Sequence, residues 1–181
     1  TQGVSSAASD VYKRQYVEKA EIMILAYAFE AGPITVVDLT ANEMPAEFRK
    51  ALADPDTVLV AHNSHFDRTM IEDIWNIRLP MERWYDTMVQ ALAHGLPGSL
   101  GQLCDILGVE TDKAKDKEGK RLIQLFCKPQ PENRKIRRAT RYTHPFDWAK
   151  FLDYARLDIE AMREIHKRMP RWNYDHPGFA L

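Results

Sequence analysis

The last helix-forming stretch restricts the fold of this chain more than any other feature. Residues 146–167 predict one long helix, and Pro170 ends it. Six positions in this region follow one another at spacings of four, three, four, three and four, so they share one helix face. They are Phe151, Ala155, Asp158, Met162, Ile165 and Met169. Five of these side chains are apolar, and the sixth is a carboxylate.

A carboxylate within an apolar stripe requires a compensating partner, because burying it ionised and unpaired costs on the order of several kcal/mol. Tyr154 precedes Asp158 by four residues, so the phenol and the carboxylate point to the same side of the helix. This pair is a candidate site for a cation. The alternative is that Asp158 lies at the edge of the stripe, either solvated or paired with a residue such as Arg156.

A second group of polar side chains directly follows a predicted strand at residues 57–61. It contains His62, Asn63, Ser64 and Asp67 at the start of a predicted helix. In α/β sheets, ligand-binding groups collect where strands give way to helices. The alternative requires no function, because Ser64 and Asp67 also match a capping box.

The rest of the pattern predicts strands first and then alternating strands and helices, which indicates a mixed α/β sheet covered by helices. Residues 21–29 and 34–39 predict an antiparallel hairpin around the turn Ala31-Gly32-Pro33, and residues 83–85 predict a further strand. Four other helices are predicted. One comprises residues 45–52, and a second has Phe66, Met70, Ile71 and Ile74 on one face. A third begins at an Asp86 cap and continues through Leu92, and a fourth begins at a Ser99-Gln102 capping box and ends before Gly108.

The chain has a formal net charge of −1, but its charges are unevenly distributed. Residues 113–141, here called the basic segment, contain eleven Lys or Arg and three acids, so the rest of the chain carries a net charge of −9. We expect this segment to be mostly irregular, with weak helical character at residues 122–126. It suits binding of a nucleic-acid backbone, and it equally suits a solvated basic insertion.

Nothing in the cysteine content or the hydropathy argues for a secreted or a membrane protein. Cys104 and Cys127 have no paired metal-ligand spacing, which favours a reducing cytoplasm, and we expect both to be buried. The longest strongly apolar run, residues 22–29, is far too short to span a bilayer. We therefore expect no membrane partner and a cytoplasmic location.

The two polar patterns together resemble the DEDDy family of 3'-5' exonucleases, whose fold is ribonuclease H-like. Residues 63–67 (NSHFD) resemble its second motif, N-x(2,3)-F-D, and residues 154–158 (YARLD) resemble its third, Y-x-x-x-D. Residues 112–131 are most similar to the exonuclease region of bacteriophage and prophage family A DNA polymerases. The resemblance covers roughly residues 16–174. It implies a phage- or prophage-encoded protein in a bacterial host cell.

This resemblance implies a role for each motif residue. Asp158 and Asp67 would bind metal, two Mg²⁺ or Mn²⁺ ions in the intact site, and Tyr154 would orient the attacking water. Asn63, Phe66 and His62 would bind the substrate. The substrate would be single-stranded DNA or the frayed 3' end of a primer, and a polymerase domain in the same polypeptide would be the partner.

The family's first motif, a D-x-E on the first and central strand, is absent from this sequence. Asp10 is the only acid before Glu18, and Tyr12 stands two places after it. We therefore expect weak metal binding and little or no hydrolysis. We also expect the hairpin to be poorly joined to the strand at residues 57–61, or the leader to fill the gap in part, because an unfilled central strand leaves two sheet edges unpaired.

The predicted organisation has three parts. Residues 1–15 resemble a non-native leader, residues 16–174 form the exonuclease-like domain, and residues 175–181 are a truncated exit toward an absent polymerase domain. Two other functions stay open. The domain could bind single strands without cutting them, or it could serve as a structural scaffold for a polymerase.

Overall fold

The computed structural model describes residues 21–110, 113–128 and 138–170. For residues 113–116 it describes the backbone only. The predicted leader and the predicted exit lie outside these ranges. The strands are β1 (Ile24–Tyr27), β2 (Thr35–Asp38), β3 (Leu59–Ala61) and β4 (Trp84–Asp86). The helices are α1 (Ala46–Ala53), α2 (Ser64–Trp75), α3 (Thr87–Ala93), α4 (Leu100–Leu107), α5 (Lys113–Cys127) and α6 (Pro145–Arg168).

The predicted antiparallel hairpin is confirmed. Strand β1 pairs with β2 in a register that sets Ile24 opposite Asp38 and Tyr27 opposite Thr35. The turn closes through a hydrogen bond from the Gly32 amide to the Phe29 carbonyl, at 2.8 Å. Both strands are shorter than their apolar runs, because ladder pairing sets their ends and apolar sequence alone does not.

A second sheet is formed by β3 and β4, which run parallel and are connected through α2. Leu59 lies opposite Trp84, and Ala61 lies opposite Asp86, so both strands end at the same edge. Within the described ranges, β1 pairs with β2 alone and β3 with β4 alone. Within these ranges, the mixed α/β fold thus has a hairpin that is separate from the parallel strands. Whether the central strand is lost or is replaced by the leader concerns residues outside these ranges and stays a prediction.

Helix α6 is clamped to the hairpin at two points. The Trp148 indole nitrogen donates to Asp38 Oδ2 at 2.9 Å, and Arg163 Nη1 donates to the Gly32 carbonyl at 2.9 Å. Along the helix, Trp148 and Arg163 are about 22 Å apart. Along the strand, Gly32 and Asp38 are about 20 Å apart. The helix therefore runs along the hairpin with matching length, which fixes both its position and its rotation.

Three apolar clusters make up the core of the described part of the chain. The first joins the hairpin to α1, α2 and β4, and its buried members are Tyr27, Phe48, Leu52, Ile71, Leu79 and Trp84. The second joins α3 and α4 to the end of α6 through Ala91, Leu103, Cys104, Val109, Ile165 and Met169. The third joins α5 to the start of α6 through Leu122, Phe126, Ala139, Trp148 and Phe151. Helix α6 contributes to two of the three clusters.

The prediction of a mostly irregular basic segment is wrong for its first half. Residues Lys113–Cys127 form a continuous helix rather than a short one at 122–126. Leu122 and Phe126 are buried against Trp148 and Phe151, and this tertiary burial stabilises a helix that the polar sequence alone does not specify. Cys127 is exposed at the end of this helix, contrary to our expectation, whereas Cys104 is buried as expected.

No helix in the described ranges has the length and apolar character needed to cross a membrane.

Candidate active site

The carboxylate of Asp86 organises the region that contains the second motif. Asp86 ends β4 and is 3% exposed. Its Oδ1 accepts hydrogen bonds from the amides of Asn63 and Met88 at 3.0 and 2.8 Å, and its Oδ2 accepts from the Ser64 amide and hydroxyl at 2.7 and 2.8 Å. One side chain thus caps α3, as predicted, and also holds the start of α2. It fixes the second motif against the sheet.

Asn63 occupies the left-handed region of backbone space, with φ 65° and ψ 53°, and is the residue that precedes α2. Asparagine tolerates this conformation better than most residues with a β-carbon. The predicted capping box is wrong, because Asn63 rather than Ser64 precedes the helix and the Ser64 hydroxyl donates to Asp86 instead. The polar residues at this strand end are therefore not explained by helix capping.

His62 is held by protein partners on both ring nitrogens. Nδ1 lies 2.9 Å from the Thr87 hydroxyl, and Nε2 lies 2.9 Å from the Gly98 carbonyl, to which it must donate. Burial lowers the pKa of His62, although the bond to Gly98 and the charge of Asp86 oppose this effect. On balance this environment favours the neutral ring. Because both nitrogens are engaged, a contact between His62 and a substrate would use the ring face.

Asp67 lies in the first turn of α2, and its side chain is exposed to solvent. Surrounding protein nevertheless raises its pKa to about 6 through desolvation, and the negative charge of Asp86 raises it further, while a backbone hydrogen bond opposes the shift. Solvent therefore reaches this carboxyl group, while nearby protein reduces its hydration. In the described part of the chain, no residue forms an ion pair with this carboxylate.

Phe66 is 54% exposed although it belongs to the predicted apolar face of α2. Of the four apolar residues predicted to line that face, only Ile71 is buried. An exposed aromatic ring next to Asp67 is available to contact a base or a sugar. The sequence pattern alone would assign this ring to the core.

The apolar stripe of α6 is buried at its ends and open in its middle. Phe151 is 8% exposed, Ile165 is fully buried, and Asp158 lies between them in a half-buried stretch. Tyr154 is also half-buried and packs against the cluster that joins α5 to α6. The predicted pair therefore lies on the part of the helix that the core leaves accessible.

A contact between two aromatic rings connects the two motif regions. Tyr85, the residue before Asp86, packs edge-to-face against His166 of α6 with ring centroids 5.0 Å apart. His166 follows Asp158 by about 12 Å along the helix axis. The end of β4 thus lies beside the second half of α6. That Asp67 and Asp158 share one site stays a prediction.

The described residues do not form a complete metal site. Within them, no group of three or more His, Cys, Asp or Glu side chains is arranged to hold a metal ion. The chemistry of the available donors still fits Mg²⁺, which prefers carboxylate oxygens and retains water. The environment of Asp67 fits as well, because a bound cation would favour the ionised carboxylate that desolvation and the Asp86 charge disfavour.

Three arginines with described side chains in the basic segment form ion pairs. Arg121 contacts Glu118 at 2.8 Å and Asp147 at 2.6 Å, Arg141 contacts Asp38 at 3.2 Å, and Arg138 pairs with Glu21. These pairs link α5, α6 and the hairpin. In this part of the segment, the arginines hold neighbouring elements together, in addition to any contact that they make with phosphate.

Sequence reasoning missed the linking role of Asp86 and the contact between Gly119 of α5 and the Tyr154 ring. Asp86 was expected to cap α3 alone, and its second set of hydrogen bonds reaches residues more than twenty positions earlier. Gly119 lies 35 residues before Tyr154, and a β-carbon at 119 would overlap the ring. A glycine within an otherwise helical stretch was the available signal for this contact.

Comparisons with known proteins bear on this arrangement. A family model described as 3'-5' exonuclease, of the DNA polymerase A type, matches residues 10–171. The DNA polymerase of Bacillus phage SP02 is 34% identical over 178 residues, which cover 94% of this chain and 27% of that polymerase. The chain thus spans about a quarter of the length of this curated relative. No solved structure matches the chain. The chain belongs to the family of 3'-5' exonuclease domains of family A DNA polymerases.

Proposed function

We propose that this domain hydrolyses the 3'-terminal phosphodiester of single-stranded DNA or of a frayed primer end. The supporting observation is the raised pKa of Asp67, which lies in the first turn of α2 at the end of β3, next in sequence to the exposed Phe66 ring. A carboxyl group with a perturbed pKa is a candidate for a catalytic site. A location in the cytoplasm of a bacterial host, within a phage- or prophage-encoded polymerase, belongs to the same proposal.

Asp67 and Asp158 would hold the metal ions, and the remaining roles fall to neighbouring residues. Two divalent ions, when bound, supply activation of the attacking water and stabilisation of the leaving oxygen. The Tyr154 hydroxyl orients the water through a hydrogen bond. Phe66 contacts the terminal base or sugar, and Asn63 shapes the same pocket. His62, fixed on both nitrogens, supports the wall of that pocket.

Activity of this polypeptide is expected to be weak. The sequence has no D-x-E pair ahead of β1, where the resemblance places the remaining carboxylates, and the described residues alone form no three-ligand site. The same observations favour a second function, in which the domain binds single strands or supports a polymerase in the same polypeptide without cutting. This second function predicts binding that is sensitive to salt and independent of divalent ions.

Degradation of a 3'-labelled oligonucleotide decides between these functions. With Mg²⁺ or Mn²⁺ we expect slow release of nucleotides from the 3' end, abolished by EDTA and by Asp158→Ala or Asp67→Ala. Asp73→Ala, which removes an exposed acid from the same helix as Asp67, should cleave like the wild type and serves as the control. Binding without cleavage, even after a D-x-E strand is added ahead of β1, would establish the second function instead.

A further inference from the structure

The ring of Tyr154 lies directly against the backbone of α5 at Gly119. Gly119 is buried in the middle of this helix. A β-carbon built at this position would overlap three ring carbons of Tyr154, with Cδ2 and Cε2 even closer than Cζ, which would be 2.5 Å away. The ring therefore occupies the space that any other residue at 119 would need.

Steric exclusion, and not backbone conformation, explains glycine at this position. Glycine in a helix interior is less favourable than alanine because it loses more backbone entropy on folding. Among the described glycines, only Gly95 and Gly108 have a positive φ. The backbone at Gly119 would therefore accept alanine, and the obstacle to that substitution is the Tyr154 ring.

The ring has little freedom to move away. Tyr154 packs against the cluster that contains Leu122 and Phe126 of α5 and Phe151 of α6. Phe126 and Phe151 stack with ring centroids 5.3 Å apart, which keeps the two helices close. Displacing the Tyr154 ring would disturb this packing, because protein interiors have few voids to receive a displaced side chain.

Ion pairs on both sides of Gly119 hold α5 in register with α6. Glu118, the preceding residue, contacts Lys150 of α6 at 3.4 Å and pairs with Arg121, which in turn contacts Asp147 of α6 at 2.6 Å. These ion pairs fix the position of α5 along α6, so that Gly119 lies opposite the Tyr154 ring. The contact between Gly119 and Tyr154 therefore depends on the specific packing of these two helices.

We propose that Gly119 is a positioning residue for Tyr154, with the bare backbone of α5 setting the ring orientation that the reaction requires. This inference rests on the proposed function of Tyr154 in orienting the attacking water. It extends the site to α5, because a change on this helix would misplace the tyrosine hydroxyl without touching the substrate.

A double-mutant cycle tests the contact without relying on catalysis. Gly119→Ala should lower the unfolding midpoint by roughly 4–8 °C when Tyr154 is present and also in Tyr154→Phe, because the ring remains. In Tyr154→Ala the same substitution should be neutral or stabilising. Gly101→Ala, a helical glycine with open space around its β-carbon position, should not lower the midpoint in any background. Equal destabilisation by Gly119→Ala with and without the ring would overturn the proposal.

Cleavage of a 3'-labelled oligonucleotide with Mn²⁺ tests the positioning role. Gly119→Ala should lower kcat on the order of tenfold to a hundredfold, and KM should change less than about twofold, since misplacing a reacting group affects the chemical step. Coupling in the stability cycle with an unchanged kcat would refute the positioning role. A chain that does not cleave even after a D-x-E strand is added ahead of β1 would overturn the proposed function, and with it this role in catalysis. The coupling between the two residues in the stability cycle would persist, which distinguishes the two failures.

Discussion

Replacing Asp86 with alanine should destabilise the protein severely, because this carboxylate serves two helix starts at once. Its removal takes away the side-chain cap of α3, which contributes about 1 kcal/mol. It also leaves the Asn63 and Ser64 amides without their acceptor, at about 1 to 2 kcal/mol each. The expected loss is about 3–5 kcal/mol, a large fraction of the stability of a typical domain, about 5–15 kcal/mol.

Urea denaturation followed by circular dichroism measures this loss. With a slope of about 2 kcal/mol per molar urea, the midpoint of Asp86→Ala should fall by about 2 M. Asp86→Asn keeps one acceptor oxygen and should lose about half as much. Asp73→Ala should stay within about 0.5 kcal/mol of the wild type, because this acid is exposed on α2. A loss below about 1 kcal/mol in Asp86→Ala would refute the assigned role.

Three further predictions concern single groups near the site. The folded-state pKa of Asp67 is about 6, which exceeds its unfolded value of about 3.9. The free energy of unfolding of the wild type relative to Asp67→Asn should therefore fall as pH rises from about 4 to about 6. A difference in denaturation that does not depend on pH would contradict this. Asn63→Gly should be nearly neutral in thermal unfolding, whereas Asn63→Ala should cost about 1 kcal/mol because of the positive φ; equal costs would exclude the conformational explanation. Burial alone would raise the pKa of Asp38, but hydrogen bonds from Thr40, Trp148 and Arg141 lower this pKa on balance. The contribution of Asp38 to stability is therefore present above its unfolded pKa of about 3.9, and it is lost as pH falls through the lower folded pKa. Asp38→Asn should remove this acid dependence, as measured by unfolding between pH 2 and 7.

Long periodic patterns predicted the fold well. The stripe from Phe151 to Met169 predicted α6 to within about one residue at each end, and the turn at Gly32 predicted the hairpin. Both depend on local spacing, which sequence records directly. Helix α5 was predicted too short, because most of its stability comes from burial of Leu122 and Phe126 against a helix that begins about twenty residues later.

Capping boxes were the least successful local predictions. Neither Ser64 nor Ser99 forms the expected side-chain cap. At Ser64 the competing acceptor is the Asp86 carboxylate, which lies 22 residues away in sequence and accepts both the amide and the hydroxyl. A local motif could not reveal a stronger acceptor supplied by a neighbouring strand.

The candidate site was selected from sequence pattern, and the roles of its residues stay predictions. The structure adds the raised pKa of Asp67 and the half-buried middle of α6. The contacts that position these residues, from Asp86 and Gly119, depend on side-chain geometry across separate elements. Periodicity contains no information about such contacts.

The two clamps between α6 and the hairpin have a mechanical consequence. Tyr154 and Asp158 lie between Trp148 and Arg163, the two residues that fasten the helix. In a rod held near both ends, rocking moves the free tips most and the span between the supports least. Thermal motion of this helix should therefore be smallest where the tyrosine and the acid project, so that their spacing is kept while the rest of the domain moves.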